Sequence, residues 1–259
     1  MEQISEDQIR NWLSADRELI VYEEIDSTNN AAKQWAQEGA PDGSAVVALR
    51  QTAGKGRLGR SFYSPSATGI YMTVILRPSL SLEQSTLVTS AAAVATARAI
   101  EKVTGISVQI KWVNDLYLNG KKLCGILAES ALLPDGKLNY LVVGIGVNVS
   151  TDSFPPELSE IATSLAAAGG EEINCNRLIA AILNEFRQVC AELENREYLE
   201  EYKLRSCVLG KSVQLIRGKE SQEAFALDVD RDAHLVVRLP NGSIQTIRSG
   251  EISLKGDWR

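Results

Sequence analysis

Histidine is nearly absent from this 259-residue sequence, His234 being the only one. Four cysteines, at positions 124, 175, 190 and 207, show no C-x-x-C spacing, and His234 stands far from other ligand-type residues. Zinc sites and histidine-based triads therefore lack their raw material. No run reaches the roughly 18 apolar residues of a membrane-spanning helix. The start, MEQISEDQIRNWL, is acidic where an export signal needs a basic stretch and an apolar run. Membrane association and export are thus not expected, and a cytoplasmic location is. Positive charge is in deficit as well: 27 Lys and Arg face 33 Asp and Glu, a net charge of −6. A broad positive field for gripping nucleic acid is missing, so DNA is not expected as a partner and any anion site must be local. What is present is an ordinary apolar fraction, 44%, with 23% charged residues, enough for a real core in one or two domains.

The patterning predicts a short approach near Glu24 to a helix capped by Ser27 or Thr28, with NAAKQWAQE as its body and Gly39 as its stop. SAVVALRQ reads as a strand, and GIYMTVILRP as another, ended by Pro78. Ser81 and Gln84 form a capping box for an alanine-rich helix that stops at Gly105, with Leu87, Ala91, Val94 and Ala95 on one face. IKWVNDLYL and KKLCGILAES then make a hairpin about Asn119 and Gly120, a pair suited to the two positive-φ positions of a type I′ turn. In the simplest register Leu118 faces Lys121, Tyr117 faces Lys122 and Asp115 faces Cys124, so Lys111, Asp115 and Lys122 share one side. Asn114 points the other way unless a bulge intervenes. LLPDG is a turn before a buried strand, KLNYLVVGIGVNV; FPPEL is a loop; and NRLIAAILNEFRQVCAELEN is an amphipathic helix. From about Cys207, short strands parted by turns read as a small β-barrel.

The stretch GKGRLGRS, Gly54 to Ser61, partly matches both a dinucleotide fingerprint and a P-loop. Each of those needs a helix directly after its glycines, whereas SFYSPSATG leads into a strand. What remains is a loop of three cations and bare amides, readable either as a lid over a polyanion or as a solvated basic loop. Charges on a hairpin usually face water, and Ser27, Thr28 and Asn29 taken alone are a helix cap. Yet Asn114 and Asp115 interrupt an apolar stretch beside Trp112, where polar groups cost stability unless paired or used. Gly144 and Gly146 could simply relieve packing in a strand.

Taken together, EIDSTN, QTAGKGRLGR, KWVNDLYLNGKKLCGILAE and VVGIGVNV stand in an order and spacing that resembles the biotin protein ligases, from about Tyr22 into the C-terminal barrel. The resemblance implies an α+β fold. A catalytic domain over 1–206 would have a mixed β-sheet with helices packed on it, of the class II aminoacyl-tRNA synthetase-like, biotin/lipoate ligase type; an SH3-like β-barrel would occupy 207–259. Ser27, Thr28, Asn29 and Gln51 would hydrogen-bond biotin. Gly54, Lys55, Gly56 and Arg57 would cover it, Lys122 would contact its activated carboxyl, and Leu127, Gly144 and Gly146 would wall the pocket. Arg57, Arg60, Phe62, Asn114 and Asn148 would meet ATP, and Asp115 would anchor Mg²⁺ or Lys122. Lys122, Arg57 and Asp115 would thus be the catalytic group. The family commonly has Arg at Lys55, Pro at Val113 and Trp at Phe62, and the last difference bears on what packs against adenine.

The activity so implied is formation of biotinyl-5′-AMP from biotin and ATP, then transfer to a lysine of a biotin carboxyl carrier protein, such as the acetyl-CoA carboxylase subunit. An unactivated carboxylate attacking an α-phosphate calls for positioning and positive charge rather than an enzyme nucleophile, which suits a chain poor in histidine. A lipoate-type ligase shares the architecture but wants a long apolar tunnel and lacks this combination of loop and barrel. A biotin-sensing transcriptional regulator carries a winged-helix domain before the Asp-Ser-Thr-Asn motif. Here 25 residues precede Asp26, so the monofunctional form without a DNA-binding domain is expected. An exposed sheet edge would support a homodimer.

Overall fold

A computed structural model describes residues 3–77, 85–169, 172–217 and 220–254. The first half of the chain runs α1 (Glu6–Arg10), β1 (Leu19–Ile25), α2 (Thr28–Gln37), β2 (Ala45–Gln51), β3 (Gly69–Leu76) and α3 (Ser85–Thr104). Then come β4 (Gln109–Lys111), β5 (Asp115–Leu118), β6 (Lys121–Leu132), β7 (Leu138–Asn148), α4 (Pro156–Ser159), α5 (Cys175–Ala191) and α6 (Tyr198–Leu204). The last part is β8 (Ser212–Arg217), β9 (Glu220–Val229), β10 (Leu235–Arg238), β11 (Ile244–Ile247) and β12 (Glu251–Leu254).

Seven strands form one mixed sheet in the order β1-β2-β3-β7-β6-β5-β4, in which only the β1–β2 pair is parallel. The other five form an antiparallel sheet, β11-β10-β9-β8-β12, of the SH3-like kind. This is the expected α+β organisation. The large sheet is covered on both sides, which is why β3 is buried along its whole length. Strand alternation sends Val46, Ile75 and Val142 under Ala32 and Ala36 of α2. Val47, Val74 and Val143 go to the opposite face, into the core shared with α3 and α5.

The α2 stop forms as expected: Gly39 has φ +101°, and Ala40 N donates to Trp35 O at 3.0 Å, a Schellman closure. The turn residues Asn119 and Gly120 have φ of 50° and 78°. Pro78, Ser81 and Gln84 lie outside the described residues.

Several expectations are corrected. IKWVNDLYL is not one strand, because the chain reverses at Trp112–Asn114 and sets Lys111 opposite Asp115 in an antiparallel β4–β5 pair. A bulge beside Tyr117 then shifts the hairpin register, so Asp115 faces Gly125 and Leu116 faces Cys124. FPPEL leads into the one-turn helix α4, with Pro156 at a first-turn position where a missing N–H costs nothing. β1, α1, α6 and β12 were not foreseen: three of them are too short to show a period, and β1 is a half-exposed edge strand carrying two adjacent glutamates.

The alanine-rich helix α3 has no solvent face over its middle. Beyond Leu87, Ala91, Val94 and Ala95, residues Val88, Ala92, Ala93 and Ala97 are also wholly buried, because α5 and α6 pack on the side away from the sheet. Small side chains let the helices approach closely. Ala93→Glu, on the face opposite the expected apolar stripe, should therefore cost roughly 3–5 kcal/mol, as an unpaired buried charge does. A shift in the urea midpoint worth under about 0.5 kcal/mol would mean that face is solvated.

Candidate active site

The parallel β1–β2 pair sets Ile25 beside Gln51, so the start of α2 and the end of β2 meet at one edge of the sheet. Ser27 occupies the N-cap position, but its hydroxyl makes no capping bond. The free N–H of Thr28 donates instead to Gln51 Oε1 at 2.8 Å, and the Thr28 hydroxyl lies 3.0 Å from the same oxygen. The amide of Asn29 is spent within the protein: Nδ2 donates to Glu129 Oε2 at 2.8 Å and to Leu127 O at 3.4 Å, while Oδ1 accepts from Thr73 Oγ1 at 2.7 Å. It fits there because position 144 is glycine; a Cβ on Gly144 would collide with it.

The basic loop folds back on itself. Gly56 N donates to Arg60 O at 2.7 Å and Phe62 N to Gly54 O at 2.9 Å. Gly54 is fixed by close approach, since a Cβ would come within 2.6 Å of Phe62 O and of Ser64 Oγ. The loop's three cations all have protein partners. Lys55 Nζ donates to Asn30 Oδ1. Arg57 donates to Asn114 Oδ1 at 3.0 Å and to Gly250 O at 3.0 Å. Arg60 pairs with Glu251 at 2.7 Å. Phe62 lies over Gly146 and Gly125, which face each other across β6 and β7, and meets Tyr71 edge to face at 6.4 Å.

On the far wall, Lys122 Nζ lies 2.8 Å from Asp115 Oδ1. The contact is an ion pair without hydrogen-bond alignment, so that buried oxygen has no hydrogen-bond donor. The Lys122 backbone is held firmly: its N–H donates to Ile161 O at 2.8 Å and its carbonyl accepts from Thr163 N at 2.9 Å. Burial lowers the Lys111 pKa, with Asp115 pulling the other way. Asn114 points inward, bonded through Nδ2 to Ile126 O at 2.9 Å, because the chain reverses there. Asn148 Nδ2 donates to Thr163 O at 3.0 Å.

These groups surround one cavity of about 460 Å³. Ser27, Thr28, Asn29, Gln51, Lys55, Gly56, Arg57, Arg60, Phe62, Asn114, Asp115, Lys122, Leu127, Gly144, Gly146 and Asn148 all line it, and Gly54 does not. Reading the sequence missed Gly125, Phe154 and Ile161, and also Ile216, Glu251 and Ile252 from the second sheet. The paired β6–β7 glycines were a visible signal for Gly125. Nothing local marks β8 and β12 as part of a site, since only tertiary contact brings them there.

Known proteins resemble this chain over nearly its whole length. The model of the Biotin/lipoate A/B protein ligase family matches residues 21–148, and that of the Biotin protein ligase C terminal domain matches 208–255. The bifunctional ligase/repressor BirA of Bacillus spizizenii is 37% identical over 97% of this chain and 79% of its own length. The biotin--[acetyl-CoA-carboxylase] ligase of Mycobacterium tuberculosis is 28% identical over 95% of this chain and 92% of its own. A biotin protein ligase from Aquifex aeolicus, solved in complex with biotin and ATP, superposes with a TM-score of 0.78 at 30% identity, covering 93% of this chain and all of that one.

Glu129, absent from the expected set, ties α2 to β6: Oε1 accepts from Lys33 at 2.5 Å and Oε2 from Asn29. Burial raises its pKa, but the bonds from Lys33 and Asn29 outweigh this and hold it below its ordinary 4.5. A carboxyl with a pKa depressed by folding stabilises the fold fully above its unfolded value and loses that contribution as pH falls through the folded value. Stability should therefore drop below about pH 4.5, and Glu129→Gln should flatten this acid limb. Urea midpoints of both proteins between about pH 3 and pH 6 test it; parallel acid limbs would refute the role.

Proposed function

Because the chain belongs to the biotin protein ligase family, we propose that this cavity carries both half-reactions of biotin ligation. The enzyme uses biotin and ATP and acts on a biotin-carrying carboxylase subunit. The observation that carries the site assignment is the chemistry that lines the cavity. Thr28, Asn29 and Gln51 supply neutral hydrogen-bonding groups, and Lys55, Arg57, Lys111 and Lys122 supply positive charge, with Asp115 beside the last two. A ligand with an uncharged polar head and a carboxylate tail fits that polarity.

In the first half-reaction a carboxylate oxygen of biotin attacks the α-phosphorus of ATP, forming the acyl-phosphate anhydride as pyrophosphate leaves. Lys122, its backbone fixed on both sides, holds positive charge at the carboxylate, and Arg57 holds it at the phosphoryl oxygens. In the second, the free amine of a carrier lysine attacks the acyl carbon, an amide forms, AMP departs, and the amine proton passes to solvent. The closed loop excludes water from the anhydride in between.

Asp115 fits a Mg²⁺ role through its buried Oδ1 without a hydrogen-bond donor. Among the described residues no group of three or more His, Cys, Asp or Glu could hold a metal, so a single carboxylate would share the ion with phosphate oxygens and water, as Mg²⁺ prefers. When bound, the ion would supply charge neutralisation on the triphosphate. The alternative role of Asp115 is to anchor Lys122, whose Nζ lies 2.8 Å from the same Oδ1.

The carrier proposed is that of acetyl-CoA carboxylase, on the chemistry named for the Mycobacterium tuberculosis relative. The domain division proposed is 1–206 and 207–259, supported by the second sheet beginning at Ser212. A homodimer has β1 as an available sheet edge, whereas β4 carries a bridge from Ile110 to Ser206. Net charge of −6 supports a reading without DNA. Cytoplasmic residence is supported by the small number of cysteines, four in 259 residues and none in C-x-x-C spacing; no helix among the described residues is long and apolar enough to cross a membrane.

Mixing the protein with biotin and ATP should release pyrophosphate, and lipoate should not replace biotin. Lys122→Ala should lose about 2–4 kcal/mol of transition-state stabilisation in pyrophosphate exchange; near-normal exchange would remove Lys122 from the chemistry. Asp115→Asn should shift the Mg²⁺ titration to higher concentration, and an unchanged titration would count against its role.

A further inference from the structure

We propose that Lys111 is a further catalytic residue, holding the two terminal phosphates of ATP and taking up the negative charge that forms on pyrophosphate as it leaves. The inference rests on the ligase reading and deepens it: Lys122 serves the carboxylate, Arg57 serves the phosphoryl oxygens, and Lys111 is left without a task.

The sheet lays out the order of groups. Tyr71 pairs with Gly146, Gly146 with Gly125, Gly125 with Asp115 and Asp115 with Lys111, so these positions form one row straight across β3, β7, β6, β5 and β4. Cross-strand partners project from the same face, and every member of the row lines the cavity. It begins with an aromatic ring, is bare at the two glycines and ends in charge. Lys111 stands two strands beyond Lys122, roughly 10 Å along the sheet. A ligand whose carboxylate meets Lys122 thus has room for further phosphates before it reaches Lys111.

Charge points to the same residue. Asp115 pairs with Lys122 at 2.8 Å and Glu251 with Arg60 at 2.7 Å. Lys111 forms no ion pair among the described residues. Its Nζ has the Tyr117 hydroxyl at 3.2 Å and lies 5.1 Å from the centre of that ring. Burial lowers its pKa, against the pull of Asp115, so an arriving phosphate would also favour its charged form.

From the α-phosphorus ATP extends two ways, toward its ribose and base and toward two phosphates. Beside Lys122, which bridges to Ala162, the wall is apolar, with Phe154, Leu158 and Ile161. A flat base suits that wall, and a pyrophosphate suits Lys111. As the biotin carboxylate oxygen bonds to the α-phosphorus, the bond to the bridging oxygen breaks and its electron pair stays on that oxygen. Pyrophosphate gains this charge only as the bond breaks, and a fixed cation there lowers the barrier. The second half-reaction holds no pyrophosphate, so Lys111 has nothing to serve in it.

Lys111→Met keeps the stem and removes the charge. The test measures two reactions in wild type and variant. One is biotin-dependent exchange of labelled pyrophosphate into ATP; the other is transfer from supplied biotinyl-5′-AMP to the carrier domain of acetyl-CoA carboxylase. Exchange should fall about a hundredfold, with a higher KM for pyrophosphate, the weight of one lost donor to a developing oxyanion. Transfer from the supplied adenylate should stay near the wild-type rate, which a fold defect or a displaced Lys122 would not allow. Lys111→Gln, neutral but polar, should show the same split. Exchange near the wild-type rate in either variant, or a matched loss of both reactions in both, overturns the inference. Absence of biotin-dependent exchange from wild type would instead overturn the function on which it rests.

Discussion

The cavity exists because one face of the large sheet runs out of helix before it runs out of strand. On that face β7 presents Tyr140 and Val142 beneath α2, whose Ala32 and Ala36 pack on them. Strand alternation then places Gly144, Gly146 and Asn148 on the same face beyond the N-terminus of α2. Gly125, paired with Gly146, extends the bare area onto β6. Where side chains would otherwise close the layer, Asn29 settles over Gly144 and Phe62 over Gly146 and Gly125. A methyl group at either of the first two positions would meet those side chains directly, so the recess depends on the absence of Cβ atoms and not on any loop being open.

The recess alone would be an apolar trough. Its chemistry comes from three chain reversals that deliver charge to its rim: the basic loop, the Trp112–Asn114 turn and the Asn119–Gly120 hairpin. Each cation is held by a group from another element. Arg57 spans Asn114 and the Gly250 carbonyl, so a single guanidinium ties the loop, the hairpin region and the second sheet together. That sheet does not stand apart. Its Val213, Leu215 and Ala224 belong to the same core as α3 and α5, and Trp112 Nε1 donates to Ala233 O at 2.9 Å. The C-terminal strands therefore help to build the site through packing as well as through polar contacts at the rim.

Helix caps and active-site groups are chemically alike, and here one segment serves as both. The first turn of α2 needs its N–H groups satisfied, and Gln51 rather than Ser27 does this for Thr28. The partly buried chain from Glu129 through Asn29, Thr73, Thr28 and Gln51 to Ser64 ends at the base of the basic loop. Floor and lid are thereby joined by one continuous set of oriented groups, which polarise one another more strongly in a dry interior than they would in water.

What the sequence by itself determined were the features set by local chemistry and short spacing. Gly39 ends α2, Asn119 and Gly120 make the turn, a nearly continuous apolar run buries β7, and the ordered motifs identify the family and part of the cavity lining. Each is legible because the cause lies within a few residues of the effect. The break of IKWVNDLYL into two strands, the bulge beside Tyr117, the burial of the middle of α3 on every side and the recruitment of β12 were decided only by the tertiary structure. Those features depend on what packs against a segment from far along the chain, and a one-dimensional pattern records a residue's own preferences but not the identity of its neighbours.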